Sequence, residues 1–367
     1  MPKFCVANRS LDYDHGKQAR SNKRRTPAVL LISCLLAACS KSENAVNPVP
    51  DVDAVRLNLA FTCVHEADHL PSLDAEADKL FRYGRYLQKL KGEKDFDDIA
   101  RYYRIAAAYD HYKANGNVQL LISQGLVSSP DAEKESVDLA ARLVDQQILS
   151  GYYDIGHYLE GGYGLKKNPE MSLRYFRKAA DMGSPEAQYY VADLLAPIDK
   201  APTVAKEMRE CATAQGFGKA ASALGIDLKT DKHYAEAVKV FQKGVESGNI
   251  QSASFLENGF EAPPESDRLY YLALPNDPER ARRYDLIERF LDHNDGRNPG
   301  IPDIDKIVPL PPAKLPPWDG SFQWQKEQDA AIPPQKPSDE LVSKMAKAKH
   351  LDPATGLPLP GSADKPS

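Results

Sequence analysis

Residues 151 to 183 open as Gly151-Tyr-Tyr-Asp-Ile-Gly-His-Tyr-Leu-Glu-Gly-Gly-Tyr-Gly-Leu165, pass Pro169, and close as Tyr175-Phe-Arg-Lys-Ala-Ala-Asp-Met-Gly183. Glycine recurs at Gly151, Gly183, Gly216 and Gly248, at intervals of 32, 33 and 32, and alanine at Ala187, Ala220 and Ala253, at 33 and 33. A fixed period in the low thirties is the signature of stacked helix pairs. The glycines are expected where the second helix of a pair ends in a left-handed turn, a conformation that costs glycine little. The alanines are expected where neighbouring helices approach too closely for a larger side chain. Each unit leaves an apolar face that only the next unit covers, which makes a solenoid.

The chain upstream is helical too. Ala75, Leu80, Phe81, Tyr83, Leu87 and Leu90 fall at helical spacing, and so do Ile99, Tyr102, Ile105, Ala106 and Tyr109 in a helix expected from Asp97 to Ala114. Gly116 and Asn117 read as a turn, Ser129-Pro130-Asp131 as a helix start, and Ala132 to Leu149 as a further helix. Few stretches alternate with period two, so the fold class is all-α. Downstream of Phe260 the pattern stops at Pro263, Pro264, Pro275 and Pro278, and a helix is expected from Asp277-Pro278 to Leu291. Fourteen of the 28 prolines and both tryptophans, Trp318 and Trp324, lie from Pro299 onward. Ile304, Ile307, Val308, Leu310, Leu315 and Phe322 make residues 301 to 324 too apolar for a free linker, so an ordered extended arm is expected. The tail from Gln325 is polar, with one helix near Asp339 to Ala348 and a disordered end.

The unit at residues 151 to 187 resembles the Sel-one-like repeat, a relative of the tetratricopeptide repeat. The units from Ala187 and Ala220 resemble it less closely, because Ala196-Pro197-Ile198-Asp199 and Thr230-Asp231-Lys232 replace the glycine-rich loop. The resemblance implies a curved α-solenoid that binds proteins on its concave face and has no catalytic site of its own.

At the other end, Lys23, Arg24 and Arg25 precede an apolar run from Ala28 to Ala38 that closes on Leu36-Ala37-Ala38-Cys39. A run of 11 residues is too short for a membrane span of about 20, and the order is that of a signal peptide with a lipobox, cut before Cys39. Leu31-Ile32-Ser33-Cys34 is a second, poorer lipobox. Several acyl chains on Cys39 would give stable anchoring. Ser40 in place of Asp resembles the state that lets lipoproteins pass to the outer membrane, which puts the working domain in the periplasm. The expected organisation is a removed signal (1–38), a lipidated flexible tether (39–53), an N-terminal helical region (54–150), repeats (151–258), a helix with a Pro/Trp-rich arm (259–325) and the tail (326–367).

Seven Lys/Arg and two acids leave with residues 1–38, taking the formal charge from -5 to -10. So acidic a chain is not expected to bind nucleic acid; it is steered toward basic partners, or its charge serves only solubility. Cys5 and Cys34 leave with the signal, and Cys63 and Cys211 remain, either as a disulfide or as two buried thiols.

Catalytic templates are missing: there is no G-x-S-x-G, no Walker loop and no paired His-Lys-Asp motif. His65-Glu66-Ala67-Asp68-His69 spells H-E-x-x-H, the pattern of a zinc peptidase, yet Asp68 stands where that helix is usually apolar and Pro71 follows at once. Neither a metal nor another cofactor is expected. The 18 tyrosines fall mostly at helical core positions.

A wider resemblance rests on Cys63-Val-His-Glu66, on Leu73-Asp-Ala-Glu-Ala-Asp-Lys-Leu-Phe-Arg-Tyr83, on the unit at 151–188, and on Asp303-Ile-Asp-Lys-Ile-Val-Pro-Leu-Pro-Pro-Ala-Lys-Leu-Pro-Pro-Trp-Asp-Gly320. Together these are similar to envelope lipoproteins that include immunity proteins against type VI secreted phospholipase D effectors. That implies a non-enzymatic inhibitor whose partner is a cognate lipase. A phosphate-binding pocket is positive, so an acidic, aromatic loop suits it. The first candidate is the loop from Glu257 to Asp277, with Phe260, Glu261, Glu265, Asp267, Tyr270 and Tyr271; the second is the loop around Tyr163. The alternative reading is a scaffold lipoprotein that assembles envelope machinery through the same repeats.

Overall fold

Asp74, His111, Ser184 and Asn249 each stand just before a helix, with a side chain that accepts a hydrogen bond from a backbone N–H of its first turn. Such caps satisfy N–H groups that a helix start leaves open, and they cut the chain into hairpins. The computed structural model describes residues 59–361. The signal segment 1–38, Cys39 and the tether 39–53 lie outside the described residues, as do residues 362–367.

The first helix of each hairpin is termed A and the second B. The hairpins are α1 (Ala75–Lys89) with α2 (Phe96–Ala107), α3 (Tyr112–Ser123) with α4 (Ala132–Asp145), α5 (Leu149–Gly161) with α6 (Pro169–Met182), α7 (Pro185–Leu195) with α8 (Pro202–Ala214), α9 (Gly218–Thr230) with α10 (Tyr234–Glu246), and α11 (Ile250–Phe260) with α12 (Pro278–His293). Each helix packs on the one before it and the one after it. The described residues form an all-α solenoid of Sel-one-like helix pairs, without a strand. None of their helices is long and apolar enough to cross a membrane.

Every turn from a B helix to the next A helix is built alike. Gly183, Gly216 and Gly248 have φ of 113°, 81° and 80°, and the residue after each donates its N–H back to a carbonyl of the B helix, as Ser184 does to Ala179 at 3.0 Å. This is the left-handed helix end expected of those three glycines. Gly151 does not belong with them. The left-handed residue of its turn is Gln147, with φ of 58°, and Gly151 is the third residue of α5. A Cβ there would lie 2.5 Å from Leu143 Cβ and 2.8 Å from the Val144 nitrogen. Gly151 is therefore the counterpart of the fully buried Ala187 and Ala220, and its unit is 36 residues long; in α11 the same third position is held by the buried Ser252, and Ala253 stands one residue further on.

The same series runs further back. Ala77 and Ala114 are also third in their A helices and fully buried, and Asp110, with φ of 62°, holds the left-handed turn position. The intervals are 37 from Ala77 to Ala114 and 37 from Ala114 to Gly151, so residues 75–145 form hairpins of the same stack, with a longer period. The helix expected from Asp97 to Ala114 ends at Ala107, and the expected turn at Gly116-Asn117 is the buried middle of α3. Its polar residues face partners: Asn115 donates to the Leu139 carbonyl at 2.9 Å, Gln119 to Asn115 Oδ1 at 2.7 Å, and Tyr158 to Gln119 Oε1 at 2.7 Å. Satisfied in this way, they sit in a helix where their composition suggests a loop.

The Pro/Trp-rich arm is ordered. Ile301, Ile304, Ile307 and Val308 are buried against α9 to α12, and Leu310, Leu315 and Trp318 pack beside them. A Pro-rich segment pairs few of its own carbonyls, and here two buried arginines of α12 take them. Arg280 donates to the carbonyls of Pro309 and Ala313, and Arg283 to those of Ile307 and Pro316. Short helices α13 (Ile304–Ile307) and α14 (Gln323–Ala330) interrupt the arm. As far as residue 361 the tail is packed on the fold. Helix α15 (Asp339–Ala348) returns to the first hairpins, where Val342, Met345, Ala346 and Leu351 join the core around Tyr102, Tyr103 and Ile105. Tyr109 and Arg104 donate to the carbonyls of Met345 and Thr355.

Candidate functional site

A stack of hairpins has two edges, one made of the turns within hairpins and one of the turns between them. Hydrogen bonds join neighbours along each. Within-hairpin loops meet where Ser128 donates to Asp97, Gly164 to Glu133 and Lys229 to the Arg268 carbonyl. Between-hairpin turns meet where Gln146 donates to Asp110 and Gln215 to the Gly183 carbonyl.

The two edges differ in exposure. The between-hairpin turns span only 2 to 4 residues each, and the chain covers three of them itself. The segment 61–69 lies across Gly183 and Gln215: a Cβ on Gly183 would lie 2.9 Å from the His65 carbonyl carbon, and the Glu66 N–H donates to Gln215 at 2.8 Å. Cys63 is bonded to Cys211 of α8 as a disulfide, which pins this strap in place. Residues 299–301 cover the turn at Gly248, where the Ile301 N–H donates to the Glu246 carbonyl.

Within-hairpin loops are longer and open, and most of the exposed large apolar side chains collect there, Ile332 and Leu359 of the tail apart. Leu126, Ile198 and Leu269 lie in the loops, Leu194 in the last turn of α7, and Met171 and Leu173 in the first turns of α6. Ile198 is 90% exposed and Leu269 55%. Such side chains are the candidate apolar anchors of this edge.

Both loops expected to bind a partner are on this edge, but their residues divide. Phe260 is no contact residue: it is fully buried, parallel to Tyr284 at 5.8 Å, because it closes the core beneath the loop. Asp267 shapes the loop, its carboxylate accepting from the N–H groups of Leu269 and Tyr270 at 2.9 and 3.1 Å. Tyr270 is half-buried against Phe255, Tyr271 lies edge-on to Tyr234, and Tyr163 packs on Tyr158. Glu261 and Glu265 are exposed. Sequence reasoning missed Ile198 and Leu269, whose only signal is an apolar residue in a loop.

Beside Glu261 a cleft of about 590 Å³ runs between α11 and α12, lined by Glu257, Glu261, Asp285, Arg282 and Arg289 among others. Burial, together with Glu288 hydrogen-bonded beside it and the charges of Asp285 and Glu261, raises the Glu257 pKa to about 7. This makes Glu257 a weakly acidic carboxyl in a wall of mixed charge.

The H-E-x-x-H letters do not form a zinc site. Glu66 to Asp68 is a single 3-10 turn and His65 has extended backbone, so no helix face holds both histidines. Cys63, His65 and Cys211 bring ligand atoms within 4.8 Å of one another, but both sulfurs are in the disulfide. Burial, then the charge of Glu186, raises the Glu66 pKa to about 7, with Lys113 opposing.

The family described as a domain of unknown function, DUF6396, matches residues 252–359, from α11 through α15. No curated protein matches the chain. Among solved structures, the immunity protein PA5088 of Pseudomonas aeruginosa is 27% identical, with a TM-score of 0.58 over 69% of this chain and 94% of that one. The immunity protein Pa5087 of the same organism is 27% identical, with a TM-score of 0.57 over 69% and 95%. Pseudomonas aeruginosa PA5086 gives 27%, 0.56, 69% and 95%. Through more than two-thirds of its length, this hairpin stack is similar to immunity proteins of Pseudomonas aeruginosa.

Proposed function

We propose that this chain is an immunity protein, which binds a toxin and blocks it without chemistry of its own. The observation that carries this reading is the 27% identity to immunity proteins over 69% of the chain. The open within-hairpin edge supports it, because a stoichiometric inhibitor needs an accessible surface with apolar anchors and a polar rim. The toxin is a type VI secreted phospholipase D. This finer step rests on the resemblance of the segments at 63–66, 73–83, 151–188 and 303–320, and on charge: a phosphate-binding pocket is positive, and Glu261 and Glu265 stand exposed on the edge. The protein waits in the periplasm, held to the outer membrane by acyl chains on Cys39.

The test is to mix the purified protein with candidate phospholipase D effectors and measure complex formation and lipid hydrolysis together. A one-to-one complex with loss of hydrolysis is expected. A protein that binds other envelope proteins but leaves every effector active would instead be a scaffold, and the immunity reading would fail.

A further inference from the structure

Four cations gather near the end of α1: Arg85 and Lys89 in the helix, Lys91 and Lys94 just after it. The fold brings them to one cleft of about 660 Å³ with Arg297, from the turn that follows α12. The first hairpin and the end of the last one meet there. Among the described residues, none of the five forms an ion pair. Arg85 donates to the Gln88 amide and Arg297 to the Asn294 amide. The Arg297 guanidinium lies 5.2 Å from the centre of the Trp324 ring, and its Nε is buried with no acceptor. Two acids line the cleft, Asp295 and Asp329, both exposed, and each has an oxygen taken by a local donor, the Gly296 N–H or the Gln325 amide. Five cations against two anions make a positive cleft on a chain of net charge -5.

Like charges brought together from positions more than 200 residues apart repel, and among the residues that line the cleft only the exposed Asp295 and Asp329 offset them. Burial, then Arg85 and Arg297, pushes the Lys89 ammonium below its ordinary range. A multiply charged anion would remove that repulsion. Guanidinium forks and ammonium groups suit the oxygens of a phosphate, which carries up to two charges. The cleft is larger than one phosphate and falls in the range of small-molecule sites, about 300–1,000 Å³. We infer that the cleft between the end of α1 and residues 293–297 binds a phosphate ester, through Arg85, Lys89, Lys91, Lys94 and Arg297. The inference does not depend on the immunity reading.

Full-length protein would be titrated with inorganic phosphate and glycerol 3-phosphate by calorimetry. It would also be sedimented with vesicles of phosphatidylglycerol or of phosphatidylcholine. The double variant Lys89→Gln/Arg297→Gln is compared with wild type, and Lys91→Gln/Lys94→Gln serves as a second variant on a loop that carries little of the core. Saturable binding of the soluble phosphates, at least tenfold weaker in both variants, identifies a soluble ester. Selective retention on phosphatidylglycerol, lost in both variants, identifies a lipid headgroup. No saturable binding of either kind, or binding that both variants keep, overturns the site. So does a variant that loses only its protein toxin, which would make the cleft a protein contact. Inhibition of a phospholipase is measured separately, so failure of one reading is distinguishable from failure of the other.

Discussion

Gly151 shows how closely the helices approach. It faces Leu143, Val144 and the Ala140 carbonyl of α4, and a methyl group would meet them at 2.5 to 2.9 Å. Two of the three are backbone atoms, which do not move aside as a flexible side chain can. Gly151→Ala is expected to destabilise by about 1–3 kcal/mol through overpacking. Gly161→Ala, with nothing within 4 Å, should change stability by less than about 0.5 kcal/mol. Urea unfolding of the two variants checks the contrast. In the sequence, Gly151 joins the wrong series because it lies 32 residues before Gly183 by coincidence; its role follows only once Gln147 is seen to hold the left-handed turn. Glu66 allows a second test. Its pKa is near 7 in the folded protein against about 4.5 when unfolded, so its neutral form is favoured in place. Its contribution is fully present below pH 4.5 and is lost as pH rises through 7. Glu66→Gln should therefore match wild type near pH 4 and be more stable at pH 8, by about 1–3 kcal/mol after allowing for partial exposure. Equal stability curves from pH 4 to 8 would remove Glu66 from the account.

The strap at 61–69 is an element without regular secondary structure, and its position depends on bonds that a sequence does not reveal. Cys63 and Cys211 were both legible as cysteines left over after the signal, but their proximity depends on three hairpins intervening in register. The disulfide closes 148 residues, and a loop of that length stabilises by up to about 5 kcal/mol in the chain-entropy model. Cys63 is exposed and Cys211 is buried, so Cys63→Ala removes the bond without opening a cavity. It is expected to lower stability by about 2–5 kcal/mol, and a reductant should lower wild type to the same level. If reductant leaves the wild-type melting temperature unchanged, the strap is held by Gln215, by Gln188, whose amide donates to the Val64 carbonyl at 3.0 Å, and by the packing of Phe61. Other elements follow from composition in some places and not in others. The arm at 301–324 is legible because its apolar residues have nowhere else to go. Helix α3 is not, since Gly116 and Asn117 look like a turn until Leu139 and Tyr158 are known to lie beside it. The return of α15 to α2 joins residues more than 200 positions apart, which no local pattern encodes.

At the scale of the whole stack, the period explains both what is legible and where the hairpins vary. The later units repeat every 32 or 33 residues and stand out, whereas the first repeat every 36 or 37 and do not. The extra residues lie mostly within the hairpins, in loops such as 162–168 and in longer helices such as α1, because the turns between hairpins admit only a short left-handed link. Variation in length is thus greatest within the hairpins, and the within-hairpin edge carries most of the exposed large apolar residues. A chain that must recognise one partner can vary there without disturbing its core. Ile198 and Leu269 make few contacts with their own fold, so Ile198→Asp and Leu269→Asp should each change stability by less than about 0.5 kcal/mol. If the edge binds the toxin, each places a charge in a desolvated contact and should weaken the complex at least tenfold, about 1.4 kcal/mol or more. Asp substitution at Tyr163 is a poorer probe, because that ring packs on Tyr158 and its loss disturbs the fold as well. As a control on the covered edge, Lys243→Asp in the last turn of α10 should leave affinity unchanged. Affinity measured by calorimetry, with melting temperatures recorded beside it, separates the outcomes: loss from Lys243→Asp with none from Ile198→Asp and Leu269→Asp would move the interface to the between-hairpin edge.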